Sequence, residues 1–242
     1  MKRIFLSFIL VTTVIICKAQ TVDEVIAKYV EAMGGREKLN SIQSLHFVGI
    51  TTMQNGNEVT TEIWKENNKL YRRESNFGMG SMKILITPEG GWQTNFRSGG
   101  SFEAMQEQML RNQRYEMETT VPFFDYAAKG HKAELDGKET IDGKETWKII
   151  LKTKDDRKLT YYIDVATNYI TRLSYKGRGR GGAGGAGGEE VDVVVTYSNY
   201  NKTTDGYIFP FTQTTSGGFG GSMTFEKIEV NPKIDGKLYK AE

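Results

Sequence analysis

The chain is poor in the residues that most often carry metal or nucleophilic chemistry: it has one cysteine and two histidines in 242 residues. A single cysteine cannot form an intrachain disulfide. Neither His46 nor His131 stands in a His-Glu-x-x-His pattern, and each falls in or beside a strand-like stretch. The sequence therefore predicts no metal site and no disulfide framework.

The chain also lacks the short motifs of common enzyme classes. It has no Gly-x-Ser-x-Gly elbow and no Gly-x-x-x-x-Gly-Lys-Ser/Thr loop. The glycine-rich tract at residues 177–188 leads into Glu189-Glu190 and a strand, and not into a helix whose amino terminus could bind a pyrophosphate. We expect no cofactor and no catalytic residue. A hydrolase that uses carboxylates such as Asp164 is the enzymatic alternative that stays open beside the non-enzymatic functions considered below.

Neither sign of charge is in excess, since 32 basic residues face 30 acidic ones, a formal net charge of +2. Arg178 and Arg180 stand in the glycine tract without interleaved aromatic residues, unlike a segment that coats RNA. The balance predicts no nucleic-acid partner.

Only one long hydrophobic run is present, and it lies near the amino terminus. Lys2 and Arg3 precede an apolar stretch over residues 4–16, and Ala19 follows shortly after it. The stretch is too short to span a bilayer, and its basic start and small final residue are typical of a secretory signal peptide. We predict a signal peptide over residues 1–19, cleaved after Ala19, and export of the remainder.

Cleavage would leave residues 20–242 as the mature chain. It removes Cys17 and three basic residues, leaving 29 basic and 30 acidic residues. This length suits one sizeable core and is short for two, so we predict a single domain. A retained anchor and lipidation at Cys17 are the alternatives, although bulky Val14, Ile15 and Ile16 argue against lipidation.

Three stretches have helical periodicity. Apolar residues recur every three or four positions over residues 21–33, which predicts an amphipathic helix. Residues 101–117 show a second such pattern with Phe102, Met105 and Met109 on one face, and residues 121–128 a shorter one.

Strand patterns occupy most of the remaining chain, separated by turn signals such as Asn55-Gly56. They predict an α+β fold: a strongly curved antiparallel sheet of about 11–12 strands, an open half-barrel, with helices covering its concave face. Two polar turns are expected around Ile141, and a mobile hairpin tip at residues 177–188. The predicted strands are residues 45–53, 58–65, 69–74, 82–87, 91–96, 131–135, 147–152, 159–164, 169–175, 191–197, 207–214 and 223–230.

The helices that interrupt the sheet are rich in methionine and phenylalanine. Methionine adapts to ligands of varied shape, and phenylalanine supplies apolar area. Two hypotheses stay open: these helices form a lid over an apolar cavity, or they fill that face of the sheet as core.

The order of several segments resembles that of LolA-like outer-membrane lipoprotein-sorting proteins. The opening of the chain is similar to the opening of that family, and its later strands and turns are similar to the later part. The segments are VIAKYVEAMGGREKL at residues 25–39, IQSL at 42–45, YYID at 161–164, ITR at 170–172, YSNY at 197–200 and DGYIFP at 205–210.

The resemblance implies a periplasmic carrier, with no reaction, whose apolar cavity holds the acyl chains of lipoproteins or a related lipid. At about 0.8 kcal/mol per buried methylene, a few acyl chains give ample binding energy. Its implied partners are that cargo and sorting components of the inner and outer membranes, and we expect a monomer. The alternative is a sensor or scaffold of the same fold with a filled cavity.

The chain departs from the family near the lid. The family's studied carriers have an Arg-Pro pair whose arginine helps to control the lid, whereas this chain has Glu66-Asn67, so Arg72 or Arg73 is the candidate substitute.

We predict an apolar lining from the strand and helix patterns. The predicted lining residues are Leu45, Phe47, Ile63, Leu70, Ile84, Trp92, Phe102, Met105, Met109, Phe123 and Phe124.

Overall fold

The computed structural model describes residues 20–53, 56–94, 99–180, 186–217 and 221–242, with the side chains of 178–180 and 186–188 left aside. The predicted signal peptide at residues 1–19 lies outside the described residues. So do Asn55 of the predicted turn, Phe96 of a predicted strand, and residues 181–185 of the glycine tract.

Thirteen antiparallel strands form one sheet. Its spatial order is β6-β5-β4-β3-β2-β1-β13-β12-β11-β10-β9-β8-β7, and in the described chain β6 and β7 each pair on one side only, so the sheet is open. Pairing of β1 with β13 joins the two ends of the chain. The strands are β1 Ser44–Thr52, β2 Glu58–Glu66, β3 Leu70–Asn76, β4 Ser81–Thr87, β5 Gly90–Gln93, β6 Glu103–Ala104, β7 Lys132–Ile141, β8 Lys144–Lys152, β9 Lys158–Asp164, β10 Ile170–Arg180, β11 Ala186–Lys202, β12 Ile208–Ser216 and β13 Gly221–Val230.

Helices are short and few in the described chain. They are α1 Val22–Ala32, α2 Arg36–Asn40 and α3 Glu107–Gln113, with 3-10 helices at Arg114–Met117 and Gly236–Tyr239. Thr21 and Glu24 form a capping box at the start of α1, each side chain accepting a hydrogen bond from the other residue's backbone amide.

Strand register defines two faces of the sheet, because side chains alternate along each strand. Phe47 lies opposite Ile63, which lies opposite Arg73, which lies opposite Ile84. We call the side that carries these four residues and Leu45 the helix face, since α1 and α3 both pack there. The other side, which carries His46, Trp64, Arg72, Leu85 and Trp92, is the outer face.

Two apolar clusters cover the helix face. In the first, α1 and residues 121–126 pack on β1 and β8–β10, and Phe123 makes edge-to-face contacts with Tyr29 at 5.0 Å and Tyr161 at 4.9 Å between ring centroids. In the second, Met105, Leu110 and the 3-10 residue Met117 pack on β2–β4. Each fully buried large apolar side chain contributes about 1.5–3 kcal/mol to folding.

The helix predicted over residues 101–117 is wrong at its start. Residues Glu103–Ala104 form the edge strand β6, and α3 begins only at Glu107. The amide of Met105 donates to the carbonyl of Gly91, so backbone pairing with β5 overrides the helical pattern of the side chains. The helix predicted over residues 121–128 is instead a series of turns, in which Asp125 has a positive φ of 53°.

The predicted loops of two hairpins are also wrong, because strand pairing extends into them. β7 continues through Asp136–Thr140 to Ile141, leaving one turn at Asp142-Gly143 in place of two. β10 and β11 extend into the glycine tract, where Gly177 pairs with Val191 and Arg180 with Ala186. Backbone hydrogen bonds need no side chain, so low complexity does not prevent pairing.

Candidate functional site

The structure places eight of the eleven predicted lining residues on the helix face or on the segments that cover it. Leu45, Phe123 and Phe124 lie in the first cluster, and Phe47 packs against it. Met105 lies in the second cluster, with Ile63, Ile84 and Met109 against it. The predicted lining is thus divided between two clusters.

The other three, Leu70, Trp92 and Phe102, lie on the outer face. Leu70 is one residue out of phase with Tyr71 and Arg73, and Trp92 pairs with Leu85. Both faces of β3 and β4 carry apolar residues, so alternation alone cannot identify the face that the helices cover.

A C-terminal segment binds the outer face at this place through Arg72. The guanidinium of Arg72, only 6% exposed, donates to the carbonyls of Leu238 at 3.2 Å and Lys240 at 2.9 Å, and pairs with Glu74 at 2.7 Å. The Phe102 ring lies 5.5 Å from the guanidinium carbon. Arg72 is therefore occupied on the outer face, and Arg73 is the arginine that faces the helices.

Charged and hydroxylated side chains lie between the two apolar clusters on the helix face. We call them the polar centre: Lys65, Arg73, Glu116 and Arg157 with Tyr71, Tyr115 and Tyr175. Lys65 Nζ lies 3.3 Å from Glu116 Oε2 and 5.5 Å from the centroid of the Tyr71 ring. Their neighbours belong to both clusters, since Tyr71 is part of the second and Tyr175 packs on the first.

Arg157 ties the helical segment to the opposite half of the sheet. It lies in the turn between β8 and β9, and its guanidinium carbon is 4.7 Å from the Tyr115 ring centroid and 5.5 Å from that of Tyr175. The same guanidinium donates to the carbonyl of Asn112 at the end of α3. Stacking and hydrogen bonding together fix its orientation.

The tyrosines of this region are neutral donors at ordinary pH. Burial raises the pKa of Tyr71, Tyr115, Tyr175 and Tyr197, and the nearby Glu116 carboxylate raises it further. Tyr115, Tyr175 and Tyr197 are nevertheless only half-buried by accessible surface. Such a site can donate hydrogen bonds to a bound molecule. It also places the cationic side chains of Lys65, Arg73 and Arg157 next to apolar surface.

Sequence reasoning missed Lys65, Glu116 and Arg157. The alternation of Ile63 and Lys65 in β2 was a signal that could have placed Lys65 on the helix face. No local sequence signal indicated that Arg157, in a turn of another hairpin, would reach this site.

In the described part of the chain, no three His, Cys, Asp or Glu residues are grouped so as to hold a metal ion.

A cleft of about 140 Å³ lies where α2, the β2–β3 turn and residues 118–129 meet. Its wall includes Leu39, Phe124 and the ion pair of Glu118 and Lys129, whose charged atoms are 2.6 Å apart.

No described helix has the length and apolar character needed to cross a membrane.

Known structures share this fold across nearly the whole chain, although no family model and no curated protein sequence matches. A LolA superfamily protein from Nitrosomonas europaea aligns with a TM-score of 0.58 and 12% identity, covering 92% of this chain and 99% of its own. A domain assigned to outer membrane lipoprotein sorting in Vibrio parahaemolyticus gives 0.53 and 11%, over 89% and 94%.

A DUF1329 family protein from Desulfovibrio piger gives a TM-score of 0.54 and 11% identity, over 89% of this chain and 97% of that one. Identity this low establishes the fold and leaves function to the site itself. The LolA-like architecture predicted from the order of sequence segments is confirmed: this chain has the fold of LolA superfamily proteins.

Proposed function

We propose that this is an exported periplasmic protein that holds the acyl chains of a lipoprotein, or of a related lipid, against the helix face. The observation that carries the proposal is the methionine-rich segment at residues 105–117, which covers part of an open sheet of LolA-like fold. Met105, Met109 and Met117 all contact the second cluster from this segment. In this proposal the helix face is the concave face of the half-barrel.

Half-buried aromatic rings beside the segment support this proposal. Phe47 lies 5.2 Å from Phe225 and 6.0 Å from Phe209 between ring centroids, and Phe47 and Phe209 both retain accessible surface. Tyr115 in the segment and Tyr197 on β11 are likewise half-buried. These partly exposed aromatic side chains support a gap that an acyl chain can fill.

The covering segment has the character of an element that can move. α3 has seven residues, too few for a helix to be stable alone, so it depends on its contacts with the sheet. Links hold the segment along its length: the amide of Met105 donates to Gly91, Arg157 donates to Asn112, and Lys65 pairs with Glu116. A lid opens when a local group of such contacts breaks together.

Several further statements belong to the same proposal. Residues 20–242 form a single domain after cleavage behind Ala19, and the protein acts as a monomer without catalysing a reaction. Its partners are lipoprotein acyl chains or another lipid, together with sorting components of the two membranes.

Polar replacement of two methionines tests the proposal. If α3 is a lid, Met105→Gln with Met109→Gln weakens binding of the apolar fluorophore N-phenyl-1-naphthylamine at least about tenfold while costing little stability, because the cavity wall becomes polar. Met79→Gln is the matched control, since Met79 is 93% exposed. Fluorescence titration and urea unfolding are measured on all three proteins.

The second candidate is a sensor or scaffold whose helix face is filled by its own side chains. It is favoured by the burial of Phe123 at 0%, Leu110 at 6% and Met105 at 8% exposure. In that case the wild type binds no fluorophore, and the double methionine variant loses about 3 kcal/mol or more of stability, as buried core replacements do.

A further inference from the structure

We infer that the ligand is an anionic amphiphile, and that its carboxylate or phosphate head binds Arg73 and Arg157, with Lys65 beside them, in the polar centre. This inference rests on the proposed function, since it assumes that a chain enters the helix face. It adds the charge of the ligand and the residues that select it.

Charge in the polar centre is unbalanced. Lys65, Arg73 and Arg157 are cations, and Glu116 is the one carboxylate among the residues that form the centre. Lys65 pairs with Glu116 at 3.3 Å, whereas the ion pairs found among the described residues include neither Arg73 nor Arg157. Arg73 and Arg157 are half-buried beside apolar and aromatic side chains, where a cation gains from a nearby counter-charge, so an entering anion is favoured.

Arg73 has donors directed to the helix face. It lies between Ile63 and Ile84 in the cross-strand row, so its stem leaves the sheet among apolar neighbours. Its Nε donates to Ser75 Oγ at 3.3 Å, and Ser75 in turn bonds the buried Thr61 at 2.9 Å. Its guanidinium also hydrogen-bonds the Tyr71 side chain, and the donors that remain of its five N–H groups suit a carboxylate or phosphate.

Arg157 lies on the other side of the covering segment, held through Asn112, Tyr115 and Tyr175. Displacement of the segment would release its guanidinium from the Asn112 carbonyl, which is a neutral acceptor. An anionic head is a stronger acceptor for the same donors. Ligand binding can therefore replace the bond of Arg157 to Asn112, which closes the segment, by a bond of Arg157 to the anionic head, which favours the open state.

Tyrosine hydroxyls complete the site. Tyr71 lies beside both Lys65 and Arg73, and Tyr175 on β10 lies beside Arg157. Because burial raises their pKa values, these hydroxyls stay protonated and can donate to an anion. Beside apolar side chains such donors and cations act more strongly than in bulk water.

Competition among molecules that share one chain length isolates the contribution of the head. N-phenyl-1-naphthylamine is displaced from the mature protein by dodecanoate, dodecyl phosphate or dodecanol, with the two anions kept below their critical micelle concentrations and dodecanol below its solubility limit. We expect both anions, or one of them, to displace the fluorophore at concentrations at least about tenfold lower than dodecanol, since charged hydrogen bonds are strong. Preference between dodecanoate and dodecyl phosphate distinguishes a fatty acid from a phospholipid head.

The variant Arg73→Gln with Arg157→Gln should lose the tenfold advantage of the anions while still binding dodecanol. Lys152→Gln is the control, because Lys152 is exposed and pairs with Asp156 away from the centre. If the double variant fails to fold, Arg73→Gln and Arg157→Gln are tested singly, and each should lose part of the anion advantage while still binding dodecanol.

Two results overturn the inference. If dodecanol displaces the fluorophore as well as the anions do, or if the anion advantage survives in the double variant, the ligand is not selected by these arginines, and the proposed carrier function still stands. If the wild type binds neither the fluorophore nor any of the three chains, the carrier function fails and the inference fails with it.

Discussion

Adjacent arginines in one strand take opposite roles because a strand alternates its faces. Arg72 points to the outer face and holds the carboxyl-terminal residues, whereas Arg73 points to the helices. A sequence pattern that shows Arg-Arg cannot say which residue is structural and which is available to a ligand. The pairing register decides this, since a shift by one residue would exchange them.

Removal of Arg72 should destabilise the protein strongly. Arg72→Ala leaves the carbonyls of Leu238 and Lys240 without their donor and leaves Glu74 without its buried partner. We expect a loss of about 3 kcal/mol in the free energy of unfolding, measured by urea denaturation. Lys176→Ala, which breaks an exposed ion pair with Asp192, should leave the free energy of unfolding nearly unchanged. Equal costs for the two variants would show that the carboxyl-terminal contact is not made.

His131 should make stability depend on pH. Burial lowers the pKa of this imidazole, a shift that Glu118 partly opposes, and its Nδ1 accepts the backbone amide of Lys154 at 3.1 Å. The unfolded chain binds a proton more readily than the folded one, so the stabilisation present above pH about 6.5 is lost as the pH falls through the folded-state pKa.

His131→Gln tests this linkage through the slope of unfolding free energy against pH between pH 7 and 5.5. The wild type should lose more stability over this range than the variant does, whatever their absolute stabilities. Identical slopes would mean that His131 is not held in its neutral form.

Glycine at position 91 allows α3 to lie close to the sheet. A Cβ at Gly91 would come within 2.6 Å of Leu110 Cδ1 and 3.0 Å of Met105 Sδ. Gly91→Val should therefore displace the covering segment and cost about 1–3 kcal/mol of stability, measured by urea denaturation. Gly236→Val is the matched control, because a Cβ there meets no atom within 4 Å. If both variants unfold at the same urea concentration, α3 does not pack on β5.

At the level of elements, the strands were largely predictable and the covering segments were not. β1 and β2 follow the predicted hairpin within a residue or two at each end, because alternation and turn residues are local signals. The helix predicted over residues 101–117 forms only from Glu107, because Met105 pairs with Gly91, and residues 121–128 form turns, with a positive φ at Asp125.

The candidate site was predictable only in its apolar part. Leu45, Phe47, Ile63 and Ile84 reach the helix face, as alternation in their strands indicates. Lys65, Glu116 and Arg157 come from three separate parts of the chain, and nothing local relates them. The one strand that the sequence analysis did not predict is β6. It is two residues long and exists only through its pairing with β5.

For the molecule as a whole, one open sheet of thirteen strands carries both apolar clusters and the polar centre on the same face. An open sheet can widen or narrow along its unpaired edges more easily than a closed barrel, which the proposed uptake of an acyl chain requires. The central claim is that this face holds a lipid when the protein is in its native compartment.

Extraction of the natively produced protein tests that claim most directly. The mature protein is purified from its own periplasm without detergent and extracted with organic solvent, and the extract is identified by mass spectrometry. The account predicts an acylated peptide or lipid in near-stoichiometric amount, with an anionic head if the polar centre selects it. A protein that yields no lipid, and that also fails to bind N-phenyl-1-naphthylamine, would contradict the account and favour a filled scaffold.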